Sequence, residues 1–480
     1  MKIVDTLIFF VLVGLIAQAA TGLSYLISSV RELEKRASVF AAVQFAGMAV
    51  AALLFAYGWK TGFLYSGSGI GILICLIAGA GLGAIFIVKK TPANLKALQG
   101  TRGAIVGDVN RVDERDVVFA RNRTIRPGTD QYRTYYQMRP EYEKMDAARR
   151  DKGGPLGRPG VIDQPKDRPN VAATLSSQGI ATNLSAPETY QPAAHPEFKE
   201  RQVRLSPQEA SDRIKGYTLN LGARHVGIAK LNPLWLYSKR GEIFRENWED
   251  WGKEIEVTHP YAIVFTTEMA FELVGTAPHT PTVISSMSNY AQGATIATQL
   301  AAYIANMGYS ATANHVRHYD AALVPLAVDA GLGETGRLGY LITKDFGPRV
   351  RLAAVTTDLA LVVDSPIDIG VEDFCKICKK CANCCPSNAI PLGDPTEVNG
   401  TLRWKLNAET CFDYWGKVGT DCNVCMRVCP WSHASTFPHK IIRALISRNR
   451  LSRRLFYYMD DIFYGRKPKP KPAPTWARFS

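Results

Sequence analysis

The sequence predicts an α/β (α+β) protein preceded by membrane-crossing helices and closed by a cysteine-rich domain, and three observations carry that expectation. Three long uncharged runs open the chain, at residues 6–30, 37–59 and 61–88. Strand-like and helix-like patterns then alternate from about residue 205 to 365. Nine of the ten cysteines crowd between Cys375 and Cys429. A chain of 480 residues exceeds one ordinary domain, so two or three folding units are expected. Its 46% hydrophobic residues exclude a mainly disordered chain, and 27 prolines with 39 glycines exclude a collagen-like one. A net charge of +14 points to an anionic surface, either membrane or nucleic acid.

The three uncharged runs are read as a spanning anchor over residues 1–90. At about 1.5 Å per residue, roughly 20 apolar residues cross the ~30 Å hydrocarbon core, and each run is long enough. A cleaved signal peptide is the rival reading of the first run. Asp5 near its start and the lack of a clear small-x-small cleavage site argue against that. Gly79, Gly81 and Gly83 in the third run favour close helix packing, and Cys75 there reads as a small apolar side chain. With three spans, Lys2 and Lys60 share one side. Arg31, Lys35, Arg36, Lys89, Lys90, Lys96 and Arg102 share the other, which places the soluble part in the cytoplasm, at the inner membrane of the cell. No twin-arginine signal precedes the first run.

Residues 91–200 are polar, Arg-rich and Pro-rich, and read as a linker or as an arm wrapping the soluble body. Globular patterning begins near Leu205. Ser206, Pro207 and Glu209 predict a helix start, with Ser as N-cap and Pro at the first helical position. Residues 261–267 predict a buried strand, and residues 291–307 a helix closed by Gly308. Residues 351–355 and 359–363 predict two further strands. This core, residues 201–365, is large enough to bury a cofactor.

The strongest signal is Cys375-x2-Cys378-x2-Cys381-x3-Cys385-Pro386, followed by Cys411-x10-Cys422-x2-Cys425-x3-Cys429-Pro430. Thiolates are soft ligands suited to iron, and this is the spacing of bacterial ferredoxins. Eight ligands make two [4Fe–4S] sites in a ferredoxin-like domain, residues 366–435. Because the fourth cysteine of such a run serves the other cluster, Cys375, Cys378, Cys381 and Cys429 form one set. Cys385, Cys411, Cys422 and Cys425 form the other. A pair of zinc sites is the alternative, and Cys384 is a spare thiol beside a ligand. No Cys-x-x-Cys-His and no Walker A sequence is present. Gly331, Gly333 and Gly336 match G-x-G-x-x-G, but a helix-like stretch precedes them and a strand-like one follows. That order is the reverse of a dinucleotide fingerprint. A glycine-rich loop against another large cofactor, or a simple turn, fits better.

The string from Ala330 to Gly339, then Phe346-Gly-Pro-Arg-Val-Arg351, then Thr357-Asp358-Leu359 and the two cysteine runs, resembles the reductive dehalogenases. The resemblance covers about residues 205–433. It implies a nitroreductase-like core holding cobalamin in its base-off form, reduced through the two clusters, with an organohalide as substrate. A tyrosine in that family supplies the proton and a nearby cation makes it more acidic. Tyr290, placed just before the predicted helix, and Arg351 match those positions, while Gly331, Gly333, Gly336 and Asn314 match the cofactor loop and pocket. The sequence departs from the family pattern in carrying its own anchor and in the histidines around Asn314, His315 and His318.

Residues 436–480 form a basic tail. From Lys440 onward eleven Lys and Arg face only Asp460 and Asp461, and contact with anionic lipid is weighed against a merely solvated tail. No recognised nucleic-acid module accompanies the charge. The electron donor expected is quinol-linked, or of ferredoxin or flavodoxin type. Two alternatives stand beside this reading: an epoxyqueuosine-reductase-like enzyme, and a membrane-bound ferredoxin-like electron carrier.

Overall fold

The computed structural model describes residues 2–152, 156, 161, 164–198, 202–245 and 247–478. The chain forms two compact units, one of residues 1–92 with 433–468, the other of residues 93–432 with 469–480.

In the first unit, the uncharged runs become the helices Lys2–Arg31, Lys35–Lys60 and Gly67–Val88. Two of them, Ile3–Arg31 and Lys35–Lys60, are long and apolar enough to cross a membrane. In the third, the described apolar stretch is Gly67–Gly83, a shorter one. Phe9, Phe10, Val39, Val43, Leu53 and Leu54 on the first two stand exposed, which suits a lipid-facing surface better than water. The expectation of a plain basic tail is corrected here. Residues 436–480 include the helices Phe437–Arg448 and Arg450–Tyr464, because apolar residues recur three and four apart beneath the charges. Phe463 packs against Tyr25 and Phe40, with ring centroids at 5.6 Å and 5.1 Å. Residues 467–472 are irregular, as proline requires.

The second unit is built on a four-stranded sheet in the order His225–Lys230, Tyr261–Glu268, Val350–Thr357, Ala311–Asn314. Every neighbouring pair is antiparallel, so the core is α+β rather than doubly wound. One face carries Ile263, Phe265, Ala353 and Val355 against Ile296, Ala297, Leu300 and Ile304 of the long helix Thr280–Asn306. The other face carries Ala262, Val264 and Ala354 against Leu326 and Ala327 of the helix Leu323–Asp329. Ser206 caps the helix Pro207–Asn220 in a capping box with Glu209. Gly308, at φ +88°, lets the chain turn after the long helix.

Three expectations are corrected in this unit. The helix predicted over residues 291–307 begins eleven residues earlier, at Thr280, with Pro281 in its first turn. Residues 359–363 are not a strand: their backbone is held by side chains, with Val362 N–H donating to Ser211 Oγ at 2.8 Å. Residues 91–200 are largely helical rather than a linker. They include the helices Val118–Arg123, Asp130–Met138, Pro140–Lys152 and Arg168–Asn183. The arginines that made this stretch look solvated are internal ion-pair partners. Arg121 bonds Asp146 at 2.8 Å with both side chains fully buried, and reaches Glu409 at 2.7 Å. Arg149 reaches Asp413 at 2.6 Å. The arm is thereby tied to the helix Ala408–Val418, which carries Cys411.

Candidate active site

Side-chain periodicity alone brings Tyr290 and Arg351 together. Arg351 shares strand parity with Ala353 and Val355, so it rises from the sheet face that meets the long helix. Tyr290 shares its helix stripe with Ala294, Ala297 and Ala301, which face that sheet. The guanidinium of Arg351 lies over the Tyr290 ring, 4.8 Å from its centroid. Tyr290 is therefore inside the helix and not ahead of it, a correction to the sequence expectation. Arg351 donates to Ser286 Oγ at 2.8 Å and to Asp421 Oδ2 at 3.3 Å. Burial opposes the charge of Arg351, but Tyr290 and then Asp421 outweigh it and its pKa rises.

Around this pair stand Tyr319 and Tyr340, both raised well above the ordinary tyrosine range, first by burial. Tyr290 and then Tyr237 add to the shift of Tyr319, and Cys425 and then Cys411 to that of Tyr340. Tyr237, Tyr290, Tyr319, Tyr340 and Arg351 lie deep yet each keeps some accessible surface. They bring a cation, several hydroxyls and aromatic rings within electrostatic reach of the cysteines.

The cysteine domain holds its thiols in two neighbourhoods. Burial first, then Cys375, Cys429 and Cys378, push the Cys381 thiol up. Burial first, then Cys422 and Cys411, do the same to Cys425. Cys375 is pushed up to about 11 and Cys411 to about 12, so these groups are neutral thiols unless a positive charge sits among them. Iron supplies that charge. Among the described residues no three His, Cys, Asp or Glu side chains converge closely enough to hold one metal ion. Two further donors suit cluster sulfur. Arg337 is fully buried, donates to Cys375 O at 3.1 Å and leaves Nη2 without a partner among the described residues. Ala389 N–H points at Cys385 Sγ at 3.3 Å.

Sequence reasoning missed what clamps the second cysteine loop. Thr420 Oγ1 donates to Pro278 O at 2.6 Å, and Asn423 Nδ2 donates to Thr282 Oγ1, Ser286 Oγ and Asp421 Oδ1. The loop bearing Cys422 and Cys425 is thus fastened to the helix that bears Tyr290. Cys378-x-x-Cys381 and Cys422-x-x-Cys425 each carry a left-handed residue after their first cysteine, Lys379 at φ +52° and Asn423 at φ +55°. Neither residue is glycine, so no sequence signal marks that turn.

The glycine loop has a structural account. Gly331, at φ +72°, adopts the left-handed region, and a Cβ there would lie 2.4 Å from Ser365 O. At Gly333 and Gly336 a Cβ would meet Ile342 at 2.2 Å and 2.3 Å. These glycines answer to the protein's own chain, while Glu334, Thr335 and Gly339 line a cavity of about 570 Å³ with Trp235, Leu323 and Trp404. Asn314 is fully buried, and its Oδ1 accepts from Asp320 N at 2.7 Å, which holds the loop after its strand.

Glu334 carries a pH prediction. Its Oε1 accepts from Ile369 N at 2.6 Å and Val371 N at 3.2 Å, holding the start of the cluster helix Val371–Cys378. Burial outweighs those bonds and pushes its carboxyl up from 4.5 to about 7. A folded pKa above the unfolded value gives a stabilising contribution that is whole below about 4.5 and is lost as pH rises to about 7. The urea midpoint at intact iron content should therefore fall from pH 5.5 to 7.5, and Glu334→Gln should flatten that fall. An equal slope in the two proteins would remove Glu334 as its source.

The family model of the 4Fe-4S dicluster domain matches residues 374–433. A tetrachloroethene reductive dehalogenase of Desulfitobacterium hafniense is 34% identical over 284 residues, covering 50% of this chain and 51% of its own. The solved catabolic reductive dehalogenase NpRdhA (K488Q variant) is similar at 26% identity and a TM-score of 0.60, over 78% of this chain and 52% of its own. A second solved reductive dehalogenase, whose structure suggests a mechanism for B12-dependent dehalogenation, aligns at 26% identity with a TM-score of 0.58. It covers 78% of this chain and 53% of its own. The chain spans about half the length of the curated relatives it matches.

Proposed function

We propose that the chain is a cobalamin-dependent reductive dehalogenase in its core and iron–sulfur domain, and that it replaces a carbon–halogen bond of an organohalide by carbon–hydrogen. The observation that carries this reading is the Arg351 guanidinium over the Tyr290 ring, bordered by Tyr340 and Cys425. Two electrons and one proton enter the organohalide as halide leaves. The corrinoid, when bound, supplies low-valent cobalt for breaking the carbon–halogen bond.

Each side chain has a part in this scheme. The Tyr290 hydroxyl delivers the proton to the carbon that loses halide. Arg351 stabilises the tyrosinate left behind, since a cation beside a phenol favours its anion. Ser286 and Asp421 hold Arg351 in place. Cys375, Cys378, Cys381 and Cys429 hold one [4Fe–4S] cluster, and Cys385, Cys411, Cys422 and Cys425 the other. Cys425 and Cys411 of the second set act electrostatically on Tyr340, which supports reading that set as the exit for electrons. Gly331, Gly333, Gly336 and Asn314 shape the walls around the corrinoid rather than touch its metal. The clusters are filled by a quinol-linked, ferredoxin or flavodoxin type donor.

Anaerobically purified protein should contain corrinoid, close to eight iron and eight sulfide per chain, and should release halide from a panel of organohalides. Cys384→Ser should leave the iron unchanged. Absence of corrinoid with clusters intact would return the chain to an electron-carrier role, and iron near four would contradict the two-cluster assignment.

The N-terminal helices anchor the chain as three spans in the inner membrane, with the catalytic part in the cytoplasm. The support is the seven basic residues against two in the flanking loops. A cytoplasmic reporter fused after Ser480 should be active and a reporter that works only outside should be silent. The opposite pattern would reverse the topology.

A further inference from the structure

Arg317 is buried, 8% exposed, on the loop that follows the strand Ala311–Asn314. Its side chain lies on the face of Phe244, 4.3 Å from the ring centroid, and its Nε has no partner among the described residues. The cations around it are engaged. Arg240 bonds Asp320 and reaches Glu114 at 3.5 Å, Lys253 bonds Asp250 at 2.8 Å, and Arg245 donates to Asn183 O at 2.7 Å. The carboxyl that acts on Arg317 is Glu242, which lies 3.9 Å from Arg123. Burial raises the Glu242 pKa, weakening that counter-charge. Burial and then Arg123 lower the Arg317 pKa to about 10, so the guanidinium is still charged at neutral pH. A buried guanidinium without a carboxylate partner is costly, and a resident anion would remove that cost.

Arg317 lines a cavity of about 340 Å³ together with Glu242, Phe244, Tyr190, His318 and Asp320. Tyr319, two residues further on, and Tyr290 both act electrostatically on Arg317. We infer that Arg317 is an oxyanion-binding residue, taking either the acidic group of a halogenated aromatic acid or the phosphodiester of the corrinoid's nucleotide loop. Both are oxygen anions that a guanidinium holds through paired, charge-assisted hydrogen bonds. The inference rests on the dehalogenase reading above and adds to it the chemistry that this cavity selects.

The test uses the full chain, purified anaerobically with its corrinoid, as wild type, Arg317→Gln and Arg317→Lys. Corrinoid per chain is measured, and binding of a brominated benzoate and of bromobenzene to the resting holoenzyme is followed by calorimetry. If the substrate is the source, Arg317→Gln keeps its corrinoid and binds the benzoate about tenfold or more weaker, with bromobenzene within about twofold. If the cofactor is the source, Arg317→Gln loses corrinoid, and the chains still loaded bind both compounds as wild type does. Arg317→Lys keeps the charge and should lie between wild type and Gln in either case. Arg317→Gln with wild-type corrinoid content and both affinities unchanged would overturn the inference. Wild-type chain that never holds corrinoid would instead overturn the functional reading itself, so the two failures are distinguishable.

Discussion

Tyr290→Phe should lower halide release by roughly two to four orders of magnitude, the usual worth of a positioned general acid, while corrinoid and iron contents stay at wild-type levels. The substitution keeps the ring under the Arg351 guanidinium and removes only the hydroxyl. Arg351→Ala should also slow turnover, and combining it with Tyr290→Phe should cost less than the two separately, because both act on one proton. Arg351 has a second attachment, since it also neutralises the buried Asp421 beside Cys422. Arg351→Ala is therefore best read together with Asp421→Asn, which removes the orphaned charge. A Tyr290→Phe enzyme with unchanged halide release, measured where chemistry limits turnover, would place the proton donor elsewhere.

The second large effect is on stability. Asp146→Ala should destabilise the second unit by about 3–5 kcal/mol, because it strips partners from guanidiniums that have no access to water. Asp146 accepts from Arg121 Nε at 2.8 Å, Arg149 Nη1 at 3.0 Å, Tyr136 OH at 3.1 Å and Asn122 Nδ2 at 3.2 Å, and is itself fully buried. The control is Asp130→Ala, which removes an ion pair to Arg133 whose side chains are 85% and 62% exposed. It should cost under about 1 kcal/mol. Urea denaturation of the anaerobic protein compares the two. Because Arg121 and Arg149 also hold Glu409, two residues before Cys411, the Asp146→Ala protein should lose iron at lower urea than wild type. Equal midpoints for the two variants would mean that the network around Asp146 adds nothing beyond a surface pair.

Much of the site is local in sequence, and that part is readable. Thiolate spacing is a property of a few adjacent residues, so the 4Fe-4S dicluster domain over residues 374–433 is visible without a fold. Strand parity puts Arg351 on the same face as Ala353 and Val355, and helix periodicity puts Tyr290 on the stripe of Ala294 and Ala297. The helix start is legible too, in Thr280-Pro281, although the apolar run begins only eleven residues later. The arm over residues 91–200 misled for a physical reason. Composition counts charges without saying which are paired, and Arg121 finds Asp146 only after the chain has turned back through three helices.

By itself, then, the sequence determined the iron–sulfur domain, the apolar helices at the N-terminus and the strand and helix faces on which Arg351 and Tyr290 stand. Each depends on spacings of two to a few residues, which covalent geometry enforces. Only the tertiary structure decided that Asp421, Ser286 and Asn423 fasten the cysteine loop to the Tyr290 helix. It also decided that Arg240 is paired with Asp320 while the Arg317 guanidinium faces a cavity. Those outcomes depend on which polar groups desolvate together, across separations of up to 137 residues in the chain, and burial sets that cost only once the core has closed.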